Sequence, residues 1–367
     1  MSINEIIVYI MVVFMALGAV DKCLGNKFGL GEKFDEGFMA MGSLAIAMVG
    51  VVSLAPVLAT ILKPIVVPVY TALGADPAMF ATTLLANDMG GYPLAVQLAQ
   101  TEEAGLFAGL ILGSMMGPTI VFTIPVALGI IQKEDHKYLA SGVLAGMITI
   151  HLGCFAGGLV AGYNVGMILS NLVPIIVVAV LIAIGLWRIP NKMINGFNVF
   201  GKGVVIVITL ATASIIIETL TGFVVIPGMA PISDGIQIIG AIAIMLCGAF
   251  PMVYFITKVF KKPLLGLGKI LGMNDVSAAG MVATLANNIP MFGIMKDMDN
   301  RGKVLNVAFA VSAAFVFGDH LGFTAGVNRD MIFPMIVGKL VAGITAVIVA
   351  SLIAPKSTVD KTAPKAS

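Results

Sequence analysis

Charge is what this chain lacks. Only 11% of its residues are Asp, Glu, Lys or Arg, where an ordinary soluble domain carries roughly 25%. Hydrophobic residues make up 59%, and the mean hydropathy is +1.05. Such a surface does not dissolve in water, so the composition predicts a polytopic membrane protein. The net charge of +2 is too small to point to nucleic acid or to an acidic partner.

Cysteine is equally scarce. Cys23, Cys154 and Cys247 are odd in number, scattered and set in apolar surroundings, which excludes a disulfide framework and reads as packing. Catalytic signatures are missing as well. No lysine follows the glycines in phosphate-loop spacing, no histidine pair has His-Glu-x-x-His spacing, and no serine sits in a nucleophile motif. No cofactor, metal or catalytic residue is therefore expected. The glycines, such as Gly142, Gly146, Gly153 and Gly157 along one segment, read as close helix packing, and the 23 methionines as adaptable core filler.

What is present is apolar length. Runs at 1–20, 38–62, 105–131, 139–161, 165–187, 204–226, 236–256, 304–323 and 331–353 each reach the about 20 residues needed to cross a bilayer. The first has no basic residue ahead of it and no cleavage pattern after it, so it reads as a span and not as a signal. Residues 355–367 are polar and read as a disordered tail.

Two further apolar segments, 77–98 and 276–295, are each broken by a polar word. Leu85-Ala86-Asn87-Asp88 in the first returns as Leu285-Ala286-Asn287-Asn288 in the second. Other pairs keep the spacing: Glu36-Gly37 with Asp234-Gly235, Gly42 with Gly240, Lys63-Pro64 with Lys262-Pro263, Leu73-Gly74 with Leu271-Gly272, and Gly117 with Gly318. Offsets of 198 to 201 kept in order read as an internal duplication, with a period far too long for a solenoid.

The basic residues choose between topologies. If both broken segments cross the membrane, Lys22, Lys27 and Lys33 face the side opposite Lys258, Lys261 and Lys262, against the positive-inside tendency. If both turn back as hairpins, eighteen of the 21 basic residues share the cytoplasmic side. Lys63 and Arg329 then lie outside, and Lys339 snorkels from the last span. The same model makes the repeats inverted. The expected architecture is thus an all-α polytopic membrane protein of two inverted repeats, each with a re-entrant helical hairpin and a broken helix, joined by one extra transmembrane helix. Its parts are the first repeat (1–162), a joining helix with a cytoplasmic loop (163–202), the second repeat (203–354) and the tail (355–367). The N-terminus lies outside and the C-terminus in the cytoplasm.

The run from Ala81 through Asn87, Asp88 and Tyr92 to Pro93, the stretch Gly113-Ser114-Met115-Met116-Gly117-Pro118-Thr119, and Phe317-Gly318-Asp319-His320-Leu321-Gly322-Phe323-Thr324 resemble the ethanolamine-utilisation membrane protein family EutH. The resemblance extends over essentially the whole chain. It implies an inner-membrane permease that supplies ethanolamine to its catabolism inside bacteria, with the bilayer and the small amino alcohol as partners. It assigns no binding residues.

Chemistry supplies the candidates. Ethanolamine at neutral pH is mostly an ammonium with one hydroxyl, which calls for carboxylate or amide oxygens, a hydrogen-bond partner and an aromatic face. Asn87 and Asp88 stand at the first break, Asn287 and Asn288 at the second, and Asp319 with His320 interrupts the span that follows it. Thr119, in Gly117-Pro118-Thr119, marks the equivalent place after the first break, where proline is expected to unwind the helix. Tyr92 and Phe317 are the nearest aromatic walls. Asn87 and Asn287 also fit helix caps, and Asp319 with His320 also fits an internal ion pair. An acid at membrane depth costs roughly 2.5 to 3.5 kcal/mol, so Asp88 is read as functional. His151 reads as a packing residue, and Asp21 and Glu218 as stabilisers of helix ends.

A secondary transporter with alternating access fits these features best. An ion-coupled carrier of another small polar solute is the nearest alternative, and an intramembrane enzyme built on Asp319, His320, His151 and Ser114 a more distant one. Sodium coupling, proton coupling and uncoupled facilitation all fit the sequence. Carriers that move hairpins against a scaffold are often oligomeric, so a homo-oligomer is compatible with this reading.

Overall fold

The computed structural model describes residues 1–259, 263, 266, 268 and 270–356. The expectations for Lys261, Lys262, Lys269, Lys361, Lys365 and the tail from 357 onwards lie outside the described residues. Among those described, all regular secondary structure is helical: α1 (Ile3–Cys23), α2 (Leu30–Ala72), α3 (Ala78–Leu84), α4 (Gly91–Leu98), α5 (Glu102–Ile130), α6 (His136–Val160), α7 (Val165–Arg188), α8 (Pro190–Thr221), α9 (Ile232–Val259), α10 (Asp275–Thr284), α11 (Ile289–Gly293), α12 (Asn300–Ala313), α13 (Asp319–Val327) and α14 (Ile332–Ile353). Eight of these helical stretches are long and apolar enough to cross a membrane. The protein is a multi-pass, all-α membrane protein.

Local chemistry sets the ends. Ser2 and Glu5 form a capping box at the start of α1. At its other end Asp21, 2% exposed, accepts hydrogen bonds from the N–H groups of Phe28, Leu30 and Gly31 at 3.0, 2.8 and 3.0 Å. One carboxylate thus orders the turn and caps α2. With 43 residues, α2 rises about 64 Å, twice a hydrocarbon core of roughly 30 Å.

Two expectations are corrected here. The cytoplasmic loop placed before residue 203 is helical: only Ile189 separates α7 from α8, because Pro190 at the first position has the φ a helix needs and no N–H to satisfy. Cys23, read as a packing residue, is exposed, whereas Cys154 and Cys247 are buried.

The two broken segments are helix, break, helix. α3 and α4, of 7 and 8 residues, rise only about 10 to 12 Å each and pack against one another across the break. α10 and α11 do the same. Each base is closed by one acid. Asp76 accepts from the N–H groups of Ala78 and Gln100 at 2.8 and 3.0 Å, and Asp299 accepts from Asn274 N–H and the Ser277 hydroxyl, both at 2.8 Å. The span expected at 304–323 is two helices, α12 and α13, parted at 314–318.

Contacts between connections fix the two ends of the molecule. At one end Asn4 donates to the Asp330 carbonyl and accepts from Phe333 N–H, both at 2.8 Å, and the Tyr163 hydroxyl meets Met331 Sδ at 3.3 Å. At the other, Lys303 pairs with buried Asp135 at 2.6 Å, and Arg301 donates to the Ser351 carbonyl at 3.2 Å.

Candidate functional site

The break of the first hairpin is shaped by its backbone. Leu85 leaves α3 extended, Asn87–Met89 make one 3-10 turn, and Gly90 takes φ 94°. A Cβ at Gly90 would also strike the Val51 side chain, so the position demands glycine twice over. Buried Asn87 accepts from Asp88 N–H at 3.0 Å. It pins the turn that presents Asp88 and does not cap α4. In the second hairpin, Asn287 accepts from Ile289 N–H at 2.8 Å, but it stands one residue before Asn288, the cap position of α11, whose side chain makes no capping bond. Asn288 donates to the Thr123 hydroxyl at 3.0 Å, fastening that tip to α5.

The helices that follow the hairpins are distorted in different ways. In α5, wide turns at Phe107–Ile111 and Thr119–Thr123 flank a tight turn at Leu112–Ser114. The departure from helical geometry falls at Met115, φ −125° and ψ −63°, and Thr119 itself is helical at φ −63° and ψ −41°. The unwinding expected at Gly117-Pro118-Thr119 therefore does not occur. Gly117 instead makes room for the first tip, because a Cβ there would overlap the Leu85 carbonyl. In the second repeat the chain leaves the helix altogether. Phe315, at φ 64°, is held in the left-handed region, where a bulky residue is strained. Its N–H donates to the Thr284 carbonyl, and Phe317 N–H to that of Leu285. A Cβ at Gly318 would overlap the Ala286 carbonyl of the second tip. The two glycines paired in sequence thus each admit a backbone carbonyl of their own tip, at positions one residue apart in the pairing of the repeats.

These elements line a cavity of about 50 Å³. Asp88 enters it from the first tip, Asp319 and His320 from the start of α13, and Pro118, Phe122 and Phe315 close it. The Phe122 and Phe315 rings meet edge to face at 5.7 Å, and His320 lies 5.2 Å from Phe315. A vestibule of about 690 Å³ leads to the same place between Lys33 and Glu36 of α2, Tyr254 and Lys258 of α9, and Asn287 and Pro290 of the second tip. Asp319 lines both spaces. A nearly apolar groove of about 390 Å³ runs between α2, the first hairpin and α8, with Met89 as the residue it shares with the cavity.

The cavity gathers Asp88, Asp319 and His320 from the sequence candidates and leaves out the others. Tyr92 packs edge-on against Phe323 at 5.6 Å, and Phe317 packs among apolar side chains. The aromatic walls are Phe122 and Phe315 instead. The Thr119 hydroxyl is bonded to the Met115 and Val311 carbonyls at 2.9 and 3.0 Å. Asn87 and Asn288 each keep one buried side-chain polar atom without a protein partner, Nδ2 and Oδ1 respectively, yet neither lines the cavity. Among the described residues, no group of three or more His, Cys, Asp or Glu could hold a metal.

Lys339 is the residue the sequence reading misplaced. It does not snorkel. It is 1% exposed, its Nζ donates to the Ser114 carbonyl, and it lies 2.9 Å from His320 Nδ1. Asp88 and Asp319 line one cavity beside His320, the partner of Lys339. The arrangement offers two carboxylates, aromatic faces and an imidazole to a small cation with a hydroxyl.

No protein of solved structure matches the chain. The family model described as "Ethanolamine utilisation protein, EutH" matches residues 3–353. A relative in Listeria monocytogenes, named probable ethanolamine permease EutH, is 72% identical over 95% of this chain and 94% of its own. One of the same name in Escherichia coli K12 is 55% identical over 100% and 98%, and the uncharacterized protein YxeR of Bacillus subtilis is 56% identical over 97% and 96%. With the family model spanning nearly every residue and relatives this similar along their full lengths, the chain belongs to the ethanolamine utilisation protein EutH family.

Proposed function

We propose that this protein is a bacterial inner-membrane permease for ethanolamine, a carrier and not an enzyme, with the substrate ammonium held by Asp88 and Asp319 and its hydroxyl by His320. The observation that carries this reading is the double position of Asp319, which borders both a small cavity with two acids and a large vestibule beside Lys33 and Lys258. A carrier needs such a residue, reachable from one side and enclosed with the substrate once the tip moves. The names of the relatives support ethanolamine as the substrate.

Charge balance supports a single monovalent cation. Asp88 and Asp319 ionised against a Lys339 ammonium leave one negative charge, and one ethanolammonium neutralises it. Phe122 and Phe315 add faces for the cation. Inverted repeats with re-entrant hairpins are supported by the close approach of Gly117 and Gly318 to backbone carbonyls of their respective tips, one residue apart in the pairing of the repeats. Lys33 and Lys258 lining one vestibule supports placing the basic loops on one side, which the positive-inside tendency makes the cytoplasm. The N-terminus is then outside, and the vestibule is the cytoplasmic route.

The test is uptake of labelled ethanolamine into vesicles that contain only the purified protein. Saturable uptake above that of protein-free vesicles is expected. No protein-dependent uptake under any imposed gradient overturns the proposal.

A further inference from the structure

Lys339 is a long cation buried to 1% in the middle of a membrane helix, where an ionised side chain persists only with partners. Its two partners are informative. The Ser114 carbonyl ends the tight turn at the distortion of α5, one residue before the non-helical Met115. His320 is the second residue of α13, directly after the break at 314–318. One side-chain nitrogen therefore joins the discontinuities of both broken helices, and its partner His320 lines the cavity that Asp88 enters from the first tip. A carbonyl released at a helix break, close to a carboxylate, is what a transporter offers to a coupling ion. Here the group it meets belongs to the chain. An ammonium has three donors and no acceptor, so where Lys339 is ionised Nζ donates to Nδ1, the imidazole is neutral and its Nε2 carries the proton.

We propose that the Lys339 ammonium is a tethered cation that takes the place of a coupling ion at the two helix breaks, so that ethanolamine is carried without sodium. Lys339 is a positioning residue in this scheme. It orients His320 and holds the Ser114 carbonyl, and the substrate ammonium is the only mobile cation the acids require. The inference rests on the permease reading, so wild-type uptake is measured first.

The experiment uses the full chain in vesicles, with sodium, potassium or choline as the only external cation. Wild-type uptake is expected to agree within about twofold in all three. Uptake that needs sodium overturns the inference while leaving the permease reading in place, whereas absence of uptake in every condition strikes that reading instead. Lys339→Ala then opens the space beside the Ser114 carbonyl. Its uptake is expected to fall at least tenfold and to recover at least threefold when methylammonium or sodium is added, with no such recovery in wild type. A monodisperse Lys339→Ala protein that keeps wild-type uptake, or that no small cation rescues, overturns the assignment. If that variant does not fold, the sodium dependence of wild type decides alone.

Discussion

Asp88 is the only acid at either hairpin break, and its partner in the second repeat, Asn288, is neutral. An ammonium brought out of water needs an opposing charge, so Asp88→Asn, which keeps size and the tip's geometry, is expected to lose most ethanolamine binding. Calorimetry on the purified variant checks this, and wild-type affinity would move the ammonium to Asp319. Asn288→Ala removes the 3.0 Å bond to Thr123, worth about 0.5 to 1.5 kcal/mol, and is expected to weaken binding only a few-fold by loosening the second tip. At this scale the acids were legible because a charge inside an apolar run has few reasons to be there. Phe122 and Phe315 were not, since nothing distinguishes two phenylalanines among 20 until the chain folds. Lys339 was misread for a related reason: sequence gives its depth in α14, and only packing says which way the side chain points.

At the scale of the element, the hairpins and their broken helices meet through backbone. Gly117 and Gly318 admit the Leu85 and Ala286 carbonyls, contacts that any side chain excludes. Gly117→Ala and Gly318→Ala are each expected to destabilise the protein by about 1–3 kcal/mol, as overpacking does, and to impair uptake. Gly129→Ala in the same helix as Gly117, where an added Cβ meets nothing within 4 Å, is expected to change neither. Thermal unfolding in detergent beside vesicle uptake reads both effects, and a harmless Gly117→Ala would show that the tip does not depend on this approach. The breaks themselves were visible in sequence because Asn, Asp, Gly and Pro punctuate an apolar background. Their detailed form was not. Proline at 118 pointed to unwinding there, yet the Thr119 hydroxyl and adjacent wide turns keep that backbone helical. Continuation of α8 back to Pro190 was hidden by the polar residues of its first turns.

For the whole molecule, the arrangement of loops makes a topological statement. With Cys23, which is exposed, first replaced by serine, Glu103→Cys is expected to react with an impermeant thiol reagent from outside intact cells. Asp297→Cys is expected to react only after the membrane is opened. Labelling of both from outside would sink the paired hairpins and the inversion together. The helical class and most spans followed from composition and run length, since the bilayer leaves a chain this apolar few other choices. Where the vestibule opens did not, because it depends on how α2, α9 and the second tip lean on one another.

The single residue between α7 and α8 has a mechanical consequence. α7 holds the base of the first hairpin through the Asn171 carboxamide, which accepts from Asp76 N–H at 2.6 Å. α8 flanks the same hairpin across the apolar groove through Phe200 and Val204. Joined by Ile189 alone, the two helices are coupled with no slack. The first hairpin cannot shift along its axis without either parting from Asn171 or drawing α7, and α8 behind it, along. What reads in the sequence as a spacer between repeats is, in the folded chain, a tether that decides which parts can travel together.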